Sequence, residues 1–252
     1  MVWFALMFGL CVGSFLNVCI YRLPLSRSVV TPRSACPNCG SLIRARDNIP
    51  CLSWLLLRGR CRDCGDPISV RYPMVELLSG AFAAMAALRF GLGWQALVVY
   101  LLVAALLVVT FIDLDHRIIP DVITLPGIPA GLAASFGLTA LTPLESLIGI
   151  RAGGGSLFLV AWGYEVLTKR PGMGGGDIKL LAMIGAFIGW KGVLFTIFVA
   201  SFTGTLAGVA LMLRRGADMK LAVPFGPFLA VGAAAYLFLG PETIAWYLRW
   251  IR

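Results

Sequence analysis

Long apolar runs, separated by short polar connections, occupy most of this sequence. Eight of them are long enough, allowing for some tilt, to approach the roughly 20 residues that a helix needs to cross a bilayer. They lie at 2–20, 76–93, 96–112, 122–138, 147–167, 177–192, 193–213 and 224–248. The pattern predicts an all-α polytopic membrane protein with about eight transmembrane helices and one long polar segment, 21–75.

The composition and the placement of charge agree with a membrane protein. Of the 252 residues, 59% are hydrophobic and 13% are charged, which is more apolar surface than a soluble fold of this length can bury. Sixteen Lys and Arg residues fall on one side of the predicted bundle, nine of them between Arg22 and Arg71, and five fall on the other side. By the positive-inside rule, the basic side faces the cytoplasm.

This charge asymmetry also explains the net charge of +9 without a nucleic-acid partner, because basic cytoplasmic loops can rest on anionic membrane lipids. The first apolar run has no basic residues before it and is followed by Arg22, so it is predicted to stay as a membrane helix whose N-terminus lies outside. Three domains are therefore expected: a first transmembrane helix at 1–20, a cytoplasmic module at 21–75 and a membrane domain at 76–252.

The polar segment contains two C-x-x-C pairs, in CPNCG and CRDCG, with 21 residues between the pairs. The four cysteines are Cys36, Cys39, Cys61 and Cys64. A glycine after each pair lets the backbone turn sharply, so that four thiolates can surround one tetrahedral Zn²⁺. A reducing cytoplasm disfavours disulfides, and no thioredoxin-like pattern surrounds either pair. The spacing therefore predicts a structural zinc site that holds a small loop module together.

The other cysteines carry weaker signals. Cys11 and Cys19 lie on the first predicted helix and are interpreted as small buried hydrophobic residues. Cys51 is a leftover thiol whose role the sequence does not define.

Acidic residues next to the apolar runs are the candidates for chemistry, since a carboxylate in hydrocarbon is costly and usually functional. In FIDLDHRIIPD, Asp113 and Asp115 would point about 200° apart on a continued helix, so only one of them can face the bundle. Asp121, just before the next apolar run, is predicted to be an N-cap. Asp115 with His116 is interpreted as part of a solvated turn.

Asp177 follows a glycine run and opens the sixth apolar segment. A helix cap is one interpretation of this carboxylate. A cap does not require the preceding Gly172, Gly174, Gly175 and Gly176, which leave the backbone free to adopt φ > 0 and to lie close to another chain. Phosphate binding is excluded because both common glycine-rich phosphate motifs require a glycine where Asp177 stands.

The predicted topology places Asp113 and Asp177 at the same cytoplasmic membrane surface. If their helices are neighbours, the two carboxyl groups can share a proton and activate a water molecule against a peptide carbonyl. The residues thus favour an aspartyl protease, with Gly174, Gly175 and Gly176 as a loop that positions an extended substrate.

Several stretches together resemble one known family, the type IV prepilin peptidases, bifunctional prepilin leader peptidases and N-methyltransferases of pilus and type II secretion systems. They are GSFLNVCIYRLP, the two cysteine pairs, RYPMVELLSG, FIDLDHRIIPDVITLP, GMGGGDIKLLAMIGAFIGW and VPFGPFLAVGA, and they extend over essentially the whole chain. In the family, one catalytic aspartate stands seven residues before a proline, as Asp113 does here, and the other ends a G-x-G-D motif, as Asp177 does.

The resemblance implies a multi-pass enzyme of the bacterial inner membrane that cleaves the basic leader from prepilins or pseudopilins at the cytoplasmic face. It also implies methylation of the new N-terminal amine with S-adenosyl-L-methionine, although the sequence contains no nucleotide-binding fingerprint. The zinc-type loop is usually found in the methylating branch of the family.

Two other classes of protein remain as alternatives. Asp113 and Asp177 could be a proton relay in a proton-coupled membrane transporter, or the helices could only anchor a zinc-ribbon sensor. The sequence does not identify the pilin, the methyltransferase site or the oligomeric state. It also leaves open whether GAFIG and GTLAG pack helices within one chain or between two.

Overall fold

A computed structural model describes residues 1–169, 174–215 and 223–251, and within these ranges the regular structure is helical. The α-helices are α1 (Val2–Arg22), α2 (Leu52–Leu56), α3 (Arg71–Phe90), α4 (Trp94–His116), α5 (Asp121–Ser135), α6 (Pro143–Thr168), α7 (Gly175–Arg215) and α8 (Gly226–Ile251). Gly172 of the glycine run, with Arg170 and Lys220 of the basic side, lies outside the described residues.

The predicted all-α membrane fold is confirmed. By length and composition, five helices in the described part of the chain can cross a membrane: α1 (extended to Leu25), α3, α4, α6 and α7 (to Leu213). Gly226–Gly240 of α8 is a shorter apolar helix, and α5 has 15 residues. The long helices correspond to the predicted runs, with α7 covering two of them.

A break at Gly189 explains how α7 can hold two predicted helices. Gly189 has φ 70° and ψ 178°, a conformation that glycine adopts without strain. A Cβ built on Gly185 would lie 2.9 Å from the side chain of Val193. Residues eight apart on a straight helix are separated by about 12 Å, so the chain must bend sharply at Gly189. The boundary between the two apolar runs predicted from the sequence lies about three residues later.

The chain forms two compact units, Met1–Val108 and Val109–Arg252. In the first unit, α1 packs against α3 at very short range. A Cβ on Gly9 would lie 2.6 Å from that of Ala83, and a Cβ on Gly13 would lie 2.6 Å from the Cα of Glu76. Small residues are what allow two helices to approach this closely in a membrane.

Polar groups also join these helices. The buried hydroxyl of Ser79 donates to the carbonyl oxygen of Gly9 at 2.7 Å, and Asn17 donates from Nδ2 to the carbonyl oxygen of Tyr72 at 3.1 Å. Each bond links α1 to α3, and each satisfies a polar group that would be costly to leave unpaired in an apolar interior. The base of the polar segment is thereby held on a rigid pair of helices.

In the second unit, α7 is central and packs against α5, α6 and α8. Its first half supplies fully buried residues such as Leu180, Leu181 and Ile184. Gly149 of α6 touches the backbone of Gly185, and the hydroxyl of Ser146 donates to the carbonyl oxygen of Ala186 at 2.7 Å. The GAFIG stretch therefore packs helices within one chain, which the sequence left open.

Candidate active site

Asp113 lies in the last turn of α4 and is buried, with 5% of its surface exposed. Asp115, two residues further on, is exposed. The opposite orientation of the two side chains confirms the phase argument from the sequence. Because α4 continues to His116, Asp113 is fixed by regular helix rather than by a flexible turn.

The start of α8 holds the carboxylate of Asp113 in place. The backbone N–H of Gly226 donates to Asp113 Oδ2 at 3.0 Å in a buried hydrogen bond. A Cβ on Gly226 would stand 2.7 Å from the same oxygen, so this contact requires a glycine. In the sequence, VPFGPFLAVGA carries only a family resemblance, because no local pattern reveals that a backbone amide so far along the chain meets Asp113.

Asp177 lies in the first turn of α7 and is not an N-cap, because the helix already begins at Gly175. Its Oδ1 is buried and has no hydrogen-bond partner among the residues that the structure describes. The carboxyl groups of Asp113 and Asp177 are close enough to interact electrostatically. The structure therefore brings together the two acids that the sequence selected.

The glycines before Asp177 leave space around it. Gly175 and Gly176 are the first two residues of α7, and neither they nor Gly174 adopts a positive φ. A side chain on Gly175 would meet no described residue within 4 Å, whereas one on Gly176 would lie 2.9 Å from Ile119. The conformational freedom expected from the sequence is thus not used here, and their role in positioning a substrate stays a prediction.

The prediction that Asp121 is an N-cap is wrong. Pro120 holds that position without a side-chain bond, and Asp121 is the first residue of α5. Both of its oxygens instead accept hydrogen bonds from Lys179 Nζ, at 2.8 and 2.7 Å. This ion pair joins the start of α5 to the start of α7, two residues after Asp177.

The four paired cysteines also come together, in the first unit. Their sulfur atoms lie within 4.8 Å of one another, and those of Cys36 and Cys64 are 3.8 Å apart. Zinc–sulfur bonds of about 2.3 Å in a tetrahedron require sulfur atoms about 3.8 Å apart.

The two cysteine pairs lie on two small turns of the same type. Cys36 N–H donates to Ser41 O, and Cys61 N–H donates to Asp66 O, so each pair closes a short hairpin. Gly40 has φ 72° and the matching glycine of the second pair has φ 75°. These are the sharp turns that the glycines after each pair predicted.

The remaining cysteines differ from expectation in part. The prediction that Cys11 is buried is wrong, because it lies on the exposed side of α1, and Cys19 is half-buried. Both the lipid-facing and the protein-facing sides of a membrane helix are apolar, so the sequence could not separate lipid-facing from protein-facing positions.

Glu76 is the acid that the sequence reasoning missed. It is 8% exposed, and its Oε2 accepts a hydrogen bond from Cys51 N–H at 2.7 Å. Glu76 stands at the start of an apolar run, where a carboxylate is costly and usually functional. This position was the signal that could have identified it. The bond also gives Cys51 a defined place beside α3.

Comparisons with known proteins place this helical membrane protein in a class of peptidases. Residues 7–90 match the model of the Bacterial Peptidase A24 N-terminal domain, and residues 100–209 match that of the Type IV leader peptidase family. The second match contains both Asp113 and Asp177. No solved structure matches significantly.

Relatives extend the similarity over nearly the full chain. Proteins of Aeromonas hydrophila and Stutzerimonas stutzeri are each 39% identical, over 96% and 98% of this chain and 92% and 94% of their own lengths. A Pseudomonas aeruginosa protein is also 39% identical, over 97% of this chain and 92% of its own length. All three carry the name prepilin leader peptidase/N-methyltransferase. The chain belongs to the type IV leader peptidase family.

Proposed function

We propose that this protein removes the leader peptide from type IV prepilins or pseudopilins and then methylates the new N-terminal amine. The observation that carries the peptidase assignment is the electrostatic interaction of the buried Asp113 with the half-buried Asp177, which come from different helices. The names of the relatives support both reactions. Neither the family nor those names support a proton-coupled transporter.

The two aspartates have unequal surroundings, which suggests unequal roles. Asp113 accepts the Gly226 N–H, and a donated hydrogen bond favours the charged form of a carboxylate, so Asp113 is the base. Within the described part of the chain, Asp177 has a buried oxygen without a hydrogen-bond partner, so we assign it the shared proton. In this proposal Asp113 takes a proton from water while the water oxygen bonds to the scissile carbonyl carbon, and Asp177 protonates the carbonyl oxygen.

Collapse of the resulting tetrahedral carbon breaks the bond to nitrogen. The amine leaves with the proton that Asp113 received, and one hydroxyl of the tetrahedral carbon returns a proton to Asp177 as the new carboxyl group forms. The open space beside Gly174 and Gly175 is where an extended substrate backbone can approach Asp177. Co-expression with a prepilin tests this function, because a shorter product shows cleavage directly.

The placement in the cell follows from the charge asymmetry. Residues 21–75 are the cytoplasmic zinc-binding module, and residues 76–252 are the membrane peptidase domain with both aspartates at the cytoplasmic face of the bacterial inner membrane. There the dyad meets a prepilin where its basic leader ends and its apolar helix begins. The N-terminus of the enzyme lies outside.

Two groups absent from the polypeptide belong to this proposal. Zn²⁺ fits the four cysteines, whose sulfur spacing matches a tetrahedral site, and it is a structural metal. S-adenosyl-L-methionine supplies an electrophilic methyl group for the amine, in keeping with the second half of the relatives' name.

The zinc assignment predicts the metal content. Protein purified without chelators should contain about one zinc per chain, since four thiolates complete one tetrahedral site. Elemental analysis by inductively coupled plasma mass spectrometry measures this directly. Metal-free protein, or disulfides among these cysteines in freshly isolated protein, would contradict the assignment.

The contact between Gly226 and Asp113 predicts a positioning effect. In Gly226→Ala the new methyl group meets Asp113 Oδ2, so the carboxylate must move and kcat for leader removal should fall about 100-fold with little change in KM. Gly208→Ala is the matched control, because a Cβ at that α7 position meets none of the described atoms within 4 Å. Equal activity of the two variants would show that Gly226 does not hold the base.

A further inference from the structure

The first compact unit contains a cavity of about 290 Å³ that the peptidase chemistry does not use. It is lined by α1, by the polar segment that carries the cysteines, and by the start of α3. Its volume is close to the lower end of the range for small-molecule sites, roughly 300–1,000 Å³. Trp54 and Tyr72 contribute aromatic surface, and Glu76 contributes a carboxylate.

The charged groups around this cavity are satisfied, with one exception. Asp47 accepts two hydrogen bonds from Arg62, at 2.8 and 2.5 Å, and Arg44 lies 3.9 Å from Asp63. The buried guanidinium of Arg22 donates to two backbone carbonyl oxygens. These groups are engaged with the protein and do not call for a ligand.

Glu76 is the exception. It is the one carboxylate of the cavity wall that no cation pairs with in the part of the chain that the structure describes; its Oε2 accepts the Cys51 N–H, and the Cys51 thiol interacts with the same carboxylate. A buried charge without a counter-charge is costly, and such groups commonly bind a ligand of opposite sign. The cavity therefore offers the Glu76 carboxylate and aromatic surface to a ligand that carries a positive charge.

We infer that this cavity is the binding site for S-adenosyl-L-methionine, with the Glu76 carboxylate facing the positively charged sulfonium. The inference rests on the proposed N-methyltransferase function and gives it a location. In that reaction the amine nitrogen bonds to the methyl carbon, the bond from carbon to sulfur breaks to leave a neutral thioether, and the ammonium proton passes to water. The Glu76 carboxylate therefore binds the cationic donor more tightly than the neutral product.

Cys51 is compatible with a methyl donor in this place. Its thiol lies 3.7 Å from the carbonyl oxygen of Pro73 and lines the same cavity. Burial and the charge of Glu76 raise the pKa of Cys51 to about 11, so the thiol stays protonated at neutral pH. A protonated thiol is a poor nucleophile and does not compete with the amine for the methyl group.

The test compares two ligands that differ in charge at sulfur. Full-length protein in nanodiscs is titrated by calorimetry with S-adenosyl-L-methionine and with the neutral S-adenosyl-L-homocysteine. In Glu76→Gln the side-chain carbonyl can still accept the Cys51 N–H, so the variant loses the charge and keeps the shape. We expect the affinity for S-adenosyl-L-methionine to fall at least about tenfold, while that for the homocysteine analogue changes by less than about threefold.

Three further measurements keep the test decisive. Glu165→Gln, an exposed carboxylate in the other unit, should leave both affinities unchanged. Val18→Phe, which adds bulk to the cavity wall, should weaken both ligands and serves if Glu76→Gln does not fold. Zinc content and prepilin cleavage of each variant report an intact structure.

The outcomes distinguish a failure of this site assignment from a failure of the proposed methyltransferase function. Unchanged affinities in Glu76→Gln, or an equal loss for both ligands, would overturn the assignment even if the wild-type protein methylates prepilin. Binding of a mature pilin N-terminal peptide that depends on Glu76 while S-adenosyl-L-methionine binding does not would assign the cavity to the acceptor instead. A wild-type protein that cleaves prepilin but neither binds the donor nor methylates would reject the methyltransferase function itself.

Discussion

Replacing either Asp113 or Asp177 by Asn is expected to lower leader removal about 1,000-fold or more, to below detection in cells. The pair must hold one proton between two carboxyl groups, and an amide can neither take the proton from water nor give one to the substrate carbonyl. Immunoblotting of a co-expressed prepilin separates the precursor from the shorter product. Both variants should reach the membrane at normal levels, because Asn keeps the shape of the side chain.

Asp115→Asn is the matched control for the dyad variants. Asp115 lies two residues from Asp113 on the same helix, but its side chain is exposed whereas that of Asp113 is buried. We expect this variant to retain most of the cleavage activity. Loss in Asp115→Asn with retention in Asp113→Asn would reverse the assignment on α4.

Loss of the zinc is expected to separate the two activities. In the double variant Cys61→Ser, Cys64→Ser, the metal site loses half of its ligands, and the small hairpins that depend on it lose their fold. These hairpins belong to the unit Met1–Val108, whereas both aspartates belong to Val109–Arg252. Methylation should therefore fall at least about 10-fold, and cleavage should decline much less.

Mass measurement of the pilin N-terminus distinguishes the outcomes of that experiment. A cleaved but unmethylated product supports a methyltransferase site built partly from the zinc-binding module. Complete methylation without zinc would move that site into the membrane helices. Loss of both activities at normal protein levels would mean that the module also positions the prepilin for cleavage.

The helices could be predicted from the sequence because apolar runs of membrane length are a strong signal. The division of α7 was predicted a few residues late, since no charge marks it and only the backbone conformation of Gly189 defines it. The phase of Asp113 against Asp115 was also predictable, because two residues on a helix always diverge. Helix geometry thus showed that only one of the two can face the bundle, and the choice of Asp113 came from the interpretation of Asp115 as part of a solvated turn and from the family resemblance.

Contacts between distant parts of the chain were not predictable in the same way. The ion pair of Asp121 with Lys179 joins two helices, and local pattern favoured a capping role for Asp121 instead. Likewise, the hydrogen bond from Gly226 to Asp113 spans 113 positions of the chain. Such pairings depend on which helices become neighbours, which single-sequence patterns do not encode.

The two polar clusters of the first unit show the same contrast. The four metal-ligand candidates were found because short C-x-x-C spacing fixes each pair locally. Glu76 was missed because its partner, Cys51, and the cavity beside it come from three separate segments. A carboxylate at the edge of an apolar run was the one signal that could have identified it.

Mass spectrometry of a prepilin co-expressed with this protein tests the central claim most directly. The wild-type enzyme should yield a pilin that lacks its leader and carries one methyl group on its new N-terminal amine, and Asp177→Asn should yield the intact, unmethylated precursor. A precursor left intact by the wild-type protein, or a leader removed equally well by Asp177→Asn, would contradict the proposal that Asp113 and Asp177 form the catalytic dyad.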